Sequence, residues 1–119
     1  MTTMHRCLIG MAVAVVLAQD ASAYTKYVSV TVDATSGGVG FVNADLIVGS
    51  GHVQATQATC RLETGQIRYT YDGTAPTASV GLLWEVGEEK TITGNAVLQA
   101  FRGFRTSGTS GDLKCHLIG

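Results

Sequence analysis

Tyr27-Val28-Ser29-Val30-Thr31-Val32-Asp33 alternates apolar and polar side chains at every step. Successive side chains of an extended chain point to opposite faces. The stretch therefore reads as a strand with Val28, Val30 and Val32 on a buried side and Ser29, Thr31 and Asp33 on a wet one. The same grammar runs through the rest of the chain. Gln66 to Tyr71 sets Ile67, Tyr69 and Tyr71 against Arg68 and Thr70, and Val53 to Leu62, rich in Thr, Ala and Gln, carries Cys60 near its end. Val39–Val42, Leu46–Val48, Val80–Val86, Lys90–Thr93, Leu98–Arg105 and Leu113–Ile118 supply further short apolar or alternating pieces. Between them lie breakers: Ser36-Gly37-Gly38, Gly49-Ser50-Gly51, Glu63-Thr64-Gly65, Asp72-Gly73 with Pro76, Gly87-Glu88-Glu89, Gly94-Asn95 and Ser107 to Gly111. Seven to eight short strands with a turn about every 8 to 12 residues predict an all-β chain, an antiparallel β-sandwich or small barrel. Asn95 to Gln99 is long enough for one helical turn, with Asn95 as its cap.

Upstream of the first strand the sequence changes character. His5 and Arg6 precede an almost unbroken apolar run, Cys7 to Ala18, and Ala21-Ser22-Ala23 has the small-x-small pattern of a signal-peptidase site. Residues 1–23 therefore read as a secretory signal peptide, with the alternative that the run is a buried N-terminal helix. A dozen residues span only about 18 Å as a helix, too short for a stable membrane anchor. Cleavage leaves residues 24–119 as a single domain, and because Arg6 and Asp20 leave together the net formal charge stays at −1. That balance points to neither nucleic acid nor an anionic membrane surface. The exported chain keeps two cysteines, Cys60 and Cys115, for which one intramolecular pairing exists. A disulfide is expected, with two free buried thiols as the alternative.

Catalytic patterns are sparse. His52 and His116 have no metal-ligand spacing, Glu88 and Glu89 sit in what reads as a hairpin turn, and no nucleophile elbow appears. Neither a cofactor nor a metal is expected. Arg68, Arg102 and Arg105 interleave with Tyr69, Tyr71, Phe101 and Phe104, the one hint of a cationic, stacking face, although alternation puts Arg102 and Arg105 on opposite sides. The single tryptophan, Trp84, is the first suspect for an exposed binding aromatic, against the alternative that it belongs to the core.

Ile67 to Gly81, Ile-Arg-Tyr-Thr-Tyr-Asp-Gly-Thr-Ala-Pro-Thr-Ala-Ser-Val-Gly, carries a resemblance. Locally, Asp72-Gly73 suits a turn with positive φ, Thr74 and Thr77 can bond the bend, and Pro76 stiffens it. With Leu82-Leu83-Trp84, Gly87-Glu88-Glu89 and Phe101-Arg102-Gly103-Phe104-Arg105-Thr106 in the same order, the segment resembles small bacteriophage structural proteins. The Tyr-Thr-x-Asp-Gly-x-x-Pro turn alone is also similar to that of the β-sandwich appended to chitobiase-type enzymes. The first resemblance implies a virion accessory, a head-decoration or capsid-stabilising protein with no catalytic residues. An export signal and a disulfide depart from that pattern, since phage heads assemble in the reducing cytosol. The reading is thus a non-enzymatic structural or interaction protein, periplasmic or extracellular, or else in a virion. Its partner is protein, either a second copy or a virion or envelope lattice. The alternative is a secreted or periplasmic sandwich that binds glycan or another envelope component; a small secreted hydrolase or inhibitor is a third reading. The chain carries few charges to guard open strand edges, which favours pairing with another strand.

Overall fold

The computed structural model describes residues 24–119. The expected signal peptide lies outside the described residues. Strand accounts for 46 % of the structure and helix for 6 %, in antiparallel sheets. The elements are β1 (Thr25–Val32), β2 (Ile47–Gly49), β3 (Val53–Gln54), β4 (Gln57–Leu62), β5 (Ile67–Thr70), β6 (Leu82–Trp84), β7 (Glu89–Thr93), α1 (Asn95–Ala100), β8 (Arg102–Arg105) and β9 (Gly111–Ile118). A four-stranded sheet runs β1-β9-β4-β7 and a three-stranded sheet β6-β5-β8, with β2 and β3 forming a separate ribbon.

The alternation in β1 resolves as the sequence requires: Val28, Val30 and Val32 are buried, and Tyr27, Ser29 and Thr31 face water. The partners obey the same rule. Leu113, Cys115 and Leu117 of β9 and Ala58, Cys60 and Leu62 of β4 join the valines inside. Opposite them, Ile67, Tyr69 and Trp84 of the three-stranded sheet meet Leu98 and Phe101 from α1 and its exit. The aromatics form a cluster. The Trp84 ring lies 5.4 Å edge-on from Tyr69 and 6.4 Å from Phe101, and Phe41 lies 5.5 Å from Phe101. Edge-to-face pairs at these separations suit the ring quadrupoles. At Gly103 of β8 a β-carbon would sit 3.0 Å from Val32, so glycine lets β8 press against β1.

Cys60 and Cys115 are bonded, directly opposite one another in the β4–β9 register with Cα atoms 4.1 Å apart. The bridge joins neighbouring strands of one sheet, and among the described residues no disulfide ties the two sheets together. Both sulfurs point into the core, where the residues are 1 % exposed.

Several local expectations are corrected. The turn at Gly87-Glu88-Glu89 is not a hairpin: β6 and β7 belong to different sheets, so it carries the chain across the sandwich, as does the short connection at Glu63-Thr64-Gly65 between β4 and β5. Glu88 lies in the crossing and Glu89 opens β7. The span Val53–Leu62 breaks between β3 and β4, and Leu98–Arg105 divides into the end of α1 and β8. The helical turn does form over Asn95–Ala100, but its cap is Gly94 without a side-chain bond. Asn95 is its first residue and donates to the Ala55 carbonyl at 2.9 Å, fastening α1 to the β3–β4 junction.

Candidate binding surface

Two of the three arginines expected on a cationic face, Arg68 and Arg102, are spent on backbone carbonyls. Arg68 of β5 donates from Nε to Ala78 O (3.0 Å) and from Nη1 to Gly81 O (2.9 Å), which ties down the long loop between β5 and β6. Arg102 donates from Nη1 to Gln99 O (3.0 Å) and Phe101 O (2.6 Å), supplying the carbonyls at the end of α1. Arg105 points to the other side of β8, toward Ser110 Oγ at 3.4 Å. Tyr69 is buried and Trp84 is wholly so, its indole N–H donating to Glu88 O at 3.0 Å. The stacking platform therefore does not exist as a unit. Burial of the apolar area of Trp84 between two sheets outweighs display of its ring.

In the loop that Arg68 holds, Asp72 accepts the Thr74 N–H at 3.0 Å, and Gly73 takes φ +93°. The Thr74 backbone and side-chain bonds hold the Asp72 carboxyl below its ordinary value. Pro76 does more than stiffen: it is fully buried, close against Gly38, where a β-carbon would come within 2.9 Å of its ring. Replacing Arg68 with methionine keeps the stem and deletes both charged bonds. The expected loss is about 1–3 kcal/mol, with faster amide exchange confined to residues 71–81. Unchanged exchange there would show that the loop holds without the guanidinium.

Of the suspected aromatics, Tyr71 alone is exposed, at 46 %. Its ring stands 6.0 Å from that of Tyr69 and divides two clefts. The smaller, of about 290 Å³, is bounded by Thr70, Thr74, Val80 and Leu82. The larger, of about 470 Å³, opens between the two sheets over Trp84 and Ile92, with Lys90 and Val97 at its sides. Around Tyr71 an apolar surface continues through Val80 and Leu82, each more than 40 % exposed; Leu83 and Val86 are exposed as well, Leu83 on the opposite face of β6 beside Arg68. A sequence reading that assigned Val80–Val86 to one strand missed this surface. The available signal was Leu82-Leu83, since adjacent strand residues cannot both face a core.

Other exposed rings lie elsewhere. Tyr27 is on the outer face of the four-stranded sheet, opposite His116, which has Thr59 on its other side. That face is polar: Lys114 pairs with Asp112 at 3.0 Å and donates to Ser29 Oγ, and Thr59 bonds Thr91. Among the described residues no group of three His, Cys, Asp or Glu side chains could hold a metal ion, and no helix is long and apolar enough to cross a membrane.

Tyr69 has a titration consequence. Burial raises its phenol above the ordinary value of 10.0, with Tyr71 and Glu88 adding to the effect. A group whose folded value is raised contributes stability that is intact below the unfolded value and lost as pH rises through the folded one. Stability should therefore fall above about pH 10, and phenolate absorbance should contain a late step that Tyr69→Phe removes. A wild-type titration without that step would contradict the burial. Neither a protein-family model, nor a curated protein, nor a solved structure matches the chain.

Proposed function

We propose that the chain is a non-enzymatic accessory protein of the virion-decorating kind, exported and oxidised, which attaches to a repetitive protein lattice through the apolar surface around Tyr71. The observation that carries this is the shared exposure of Tyr71, Val80 and Leu82, which line one cleft at one end of the three-stranded sheet. Exposed apolar surface of this extent on a small domain favours a protein partner. The surface also coincides with the Ile67–Gly81 and Leu82-Leu83-Trp84 segments that resemble phage structural proteins. The buried Cys60–Cys115 bond favours an oxidising compartment, so the lattice belongs to the cell envelope or to a particle outside the cytosol. The glycan alternative is less favoured, because Tyr27 and Tyr71 stand on different sheets and make no row of rings.

The test expresses the gene with its own N-terminus in the organism that carries it and separates periplasm, medium and sedimenting particles. The expected result is an oxidised species beginning at Tyr24 that co-sediments with particles in fixed proportion. Val80→Asp with Leu82→Asp should release it without changing its melting temperature. Recovery only as free protein, or retention on peptidoglycan or chitin that Tyr71→Ala abolishes, would overturn the lattice reading.

A further inference from the structure

We propose that the free edge of β7 receives an extended peptide from a protein partner. The peptide adds a fifth strand to the four-stranded sheet and carries, two residues apart, an aliphatic side chain for the larger cleft and a carboxylate for Lys90. This rests on the chain being an interaction protein, and not on what it decorates.

The ladder fixes which groups are free. In the β4–β7 register Ala58 faces Ile92 and Cys60 faces Lys90. The flanking bonds, Gly94 N–H to Thr56 O at 2.7 Å and Leu62 N–H to Glu88 O at 3.1 Å, place these pairs in the hydrogen-bonded phase of the ladder. Thr91 and Thr93 therefore aim their N–H and C=O groups away from β4. Among the described residues no strand lies on that side of β7, and neither threonine makes another backbone hydrogen bond. These groups border the larger cleft, lined in part by Thr91 and Thr93 themselves, with the aromatic side chains of Tyr69, Tyr71 and Trp84 within. A strand paired with Thr91 and Thr93 turns alternate side chains inward, so the residue opposite Ile92 enters the cleft.

Lys90 gives the partner its charge. It shares the inward face with Ile92, and an inward-pointing lysine on an edge deters indiscriminate strand pairing. Its Nζ lies 5.9 Å above the Trp84 ring and 4.0 Å from Glu88 Oε2, a loose pair at the limit of contact. A carboxylate brought opposite Lys90 completes that site, whereas a basic residue there is repelled in a partly desolvated place. The edge thus admits one class of strand and rejects others.

The probe is a pool of synthetic heptapeptides, Thr-X-Thr-X-Thr-X-Thr, with X drawn from Val, Ile, Phe, Glu and Lys, offered to the immobilised oxidised protein. Retained peptides should carry Glu at one X and an aliphatic residue at the neighbouring X, with about tenfold enrichment over their Lys counterparts. Lys90→Glu should reverse the charge preference, and Lys90→Met should erase it. Thr91→Pro should abolish retention while leaving the melting temperature near that of wild type, because the N–H it removes has no partner within the protein. No retention, retention indifferent to charge, or a Thr91→Pro protein that folds and still retains peptide would overturn the proposal. So would concentration-dependent protection of the Thr91 and Thr93 amides without peptide, which would make a second copy the occupant. Because the probe contains no lattice, its failure leaves the particle experiment unaffected, and the converse also holds.

Discussion

Replacing Trp84 with alanine should lower stability by about 3–5 kcal/mol, as read from chemical denaturation at constant slope. For a chain of this size total stability is only about 5–14 kcal/mol, so the variant would be partly unfolded at elevated temperature. Two causes act in the same direction. The side chain is wholly buried between Tyr69 and Phe101, and its removal opens a cavity bordered by both sheets. Its N–H is a second donor, beside that of Leu62, to the Glu88 carbonyl at the turn where the chain crosses from β6 to β7, so alanine loosens that crossing. Trp84→Phe separates the two: it refills most of the cavity and removes the indole's bond while the Glu88 carbonyl keeps the Leu62 N–H, at an expected cost of about 0.5–1.5 kcal/mol. A loss below about 1 kcal/mol for the alanine variant would be the behaviour of a surface residue and would contradict the packing described. As the only tryptophan, Trp84 also supplies its own fluorescence readout.

The second large effect belongs to the disulfide. Cys60→Ala with Cys115→Ala should destabilise by about 2–5 kcal/mol. The bond closes a segment of 55 residues, and the loop-entropy argument alone gives about 4 kcal/mol for that length. The loss of two buried sulfurs from the core acts in the same direction. Because the bridge lies within one sheet, the β4–β9 ladder that surrounds it can persist without it. The folded spectrum of the double variant should therefore resemble that of the oxidised protein at low temperature. Denaturation of wild type with and without reductant checks the same quantity: coincident curves would show that the bond contributes nothing, and an altered native spectrum that the sheet depends on it. The double variant is preferable to either single one, which leaves a free thiol.

Short-range alternation carried most of what was legible. Val28, Val30 and Val32 could be assigned to the core from their spacing, because period two leaves no other way to bury them together, and with Cys7 assigned to the expected signal peptide Cys60 and Cys115 had one intramolecular pairing. The face around Arg68, Arg102 and Trp84 was illegible for a different reason. Whether a guanidinium meets solvent or a carbonyl depends on where loops and helix ends arrive, and Ala78, Gly81 and Gln99 are placed by tertiary contacts. The same holds for the turn at Gly87-Glu88-Glu89, which reads as a hairpin, yet composition sets the bend and not the sheet in which the next strand finds its partners.

By itself, then, the sequence determined the strand content and the buried side of the first strand, which follow from local geometry, and it singled out Cys60 and Cys115 as the expected pair once Cys7 was set aside. Only the tertiary structure decided that the disulfide lies within a sheet and that Trp84 is core. It alone left Tyr71, Leu82 and the edge of β7 uncovered, because register and sheet order arise from long-range packing, which no local pattern encodes.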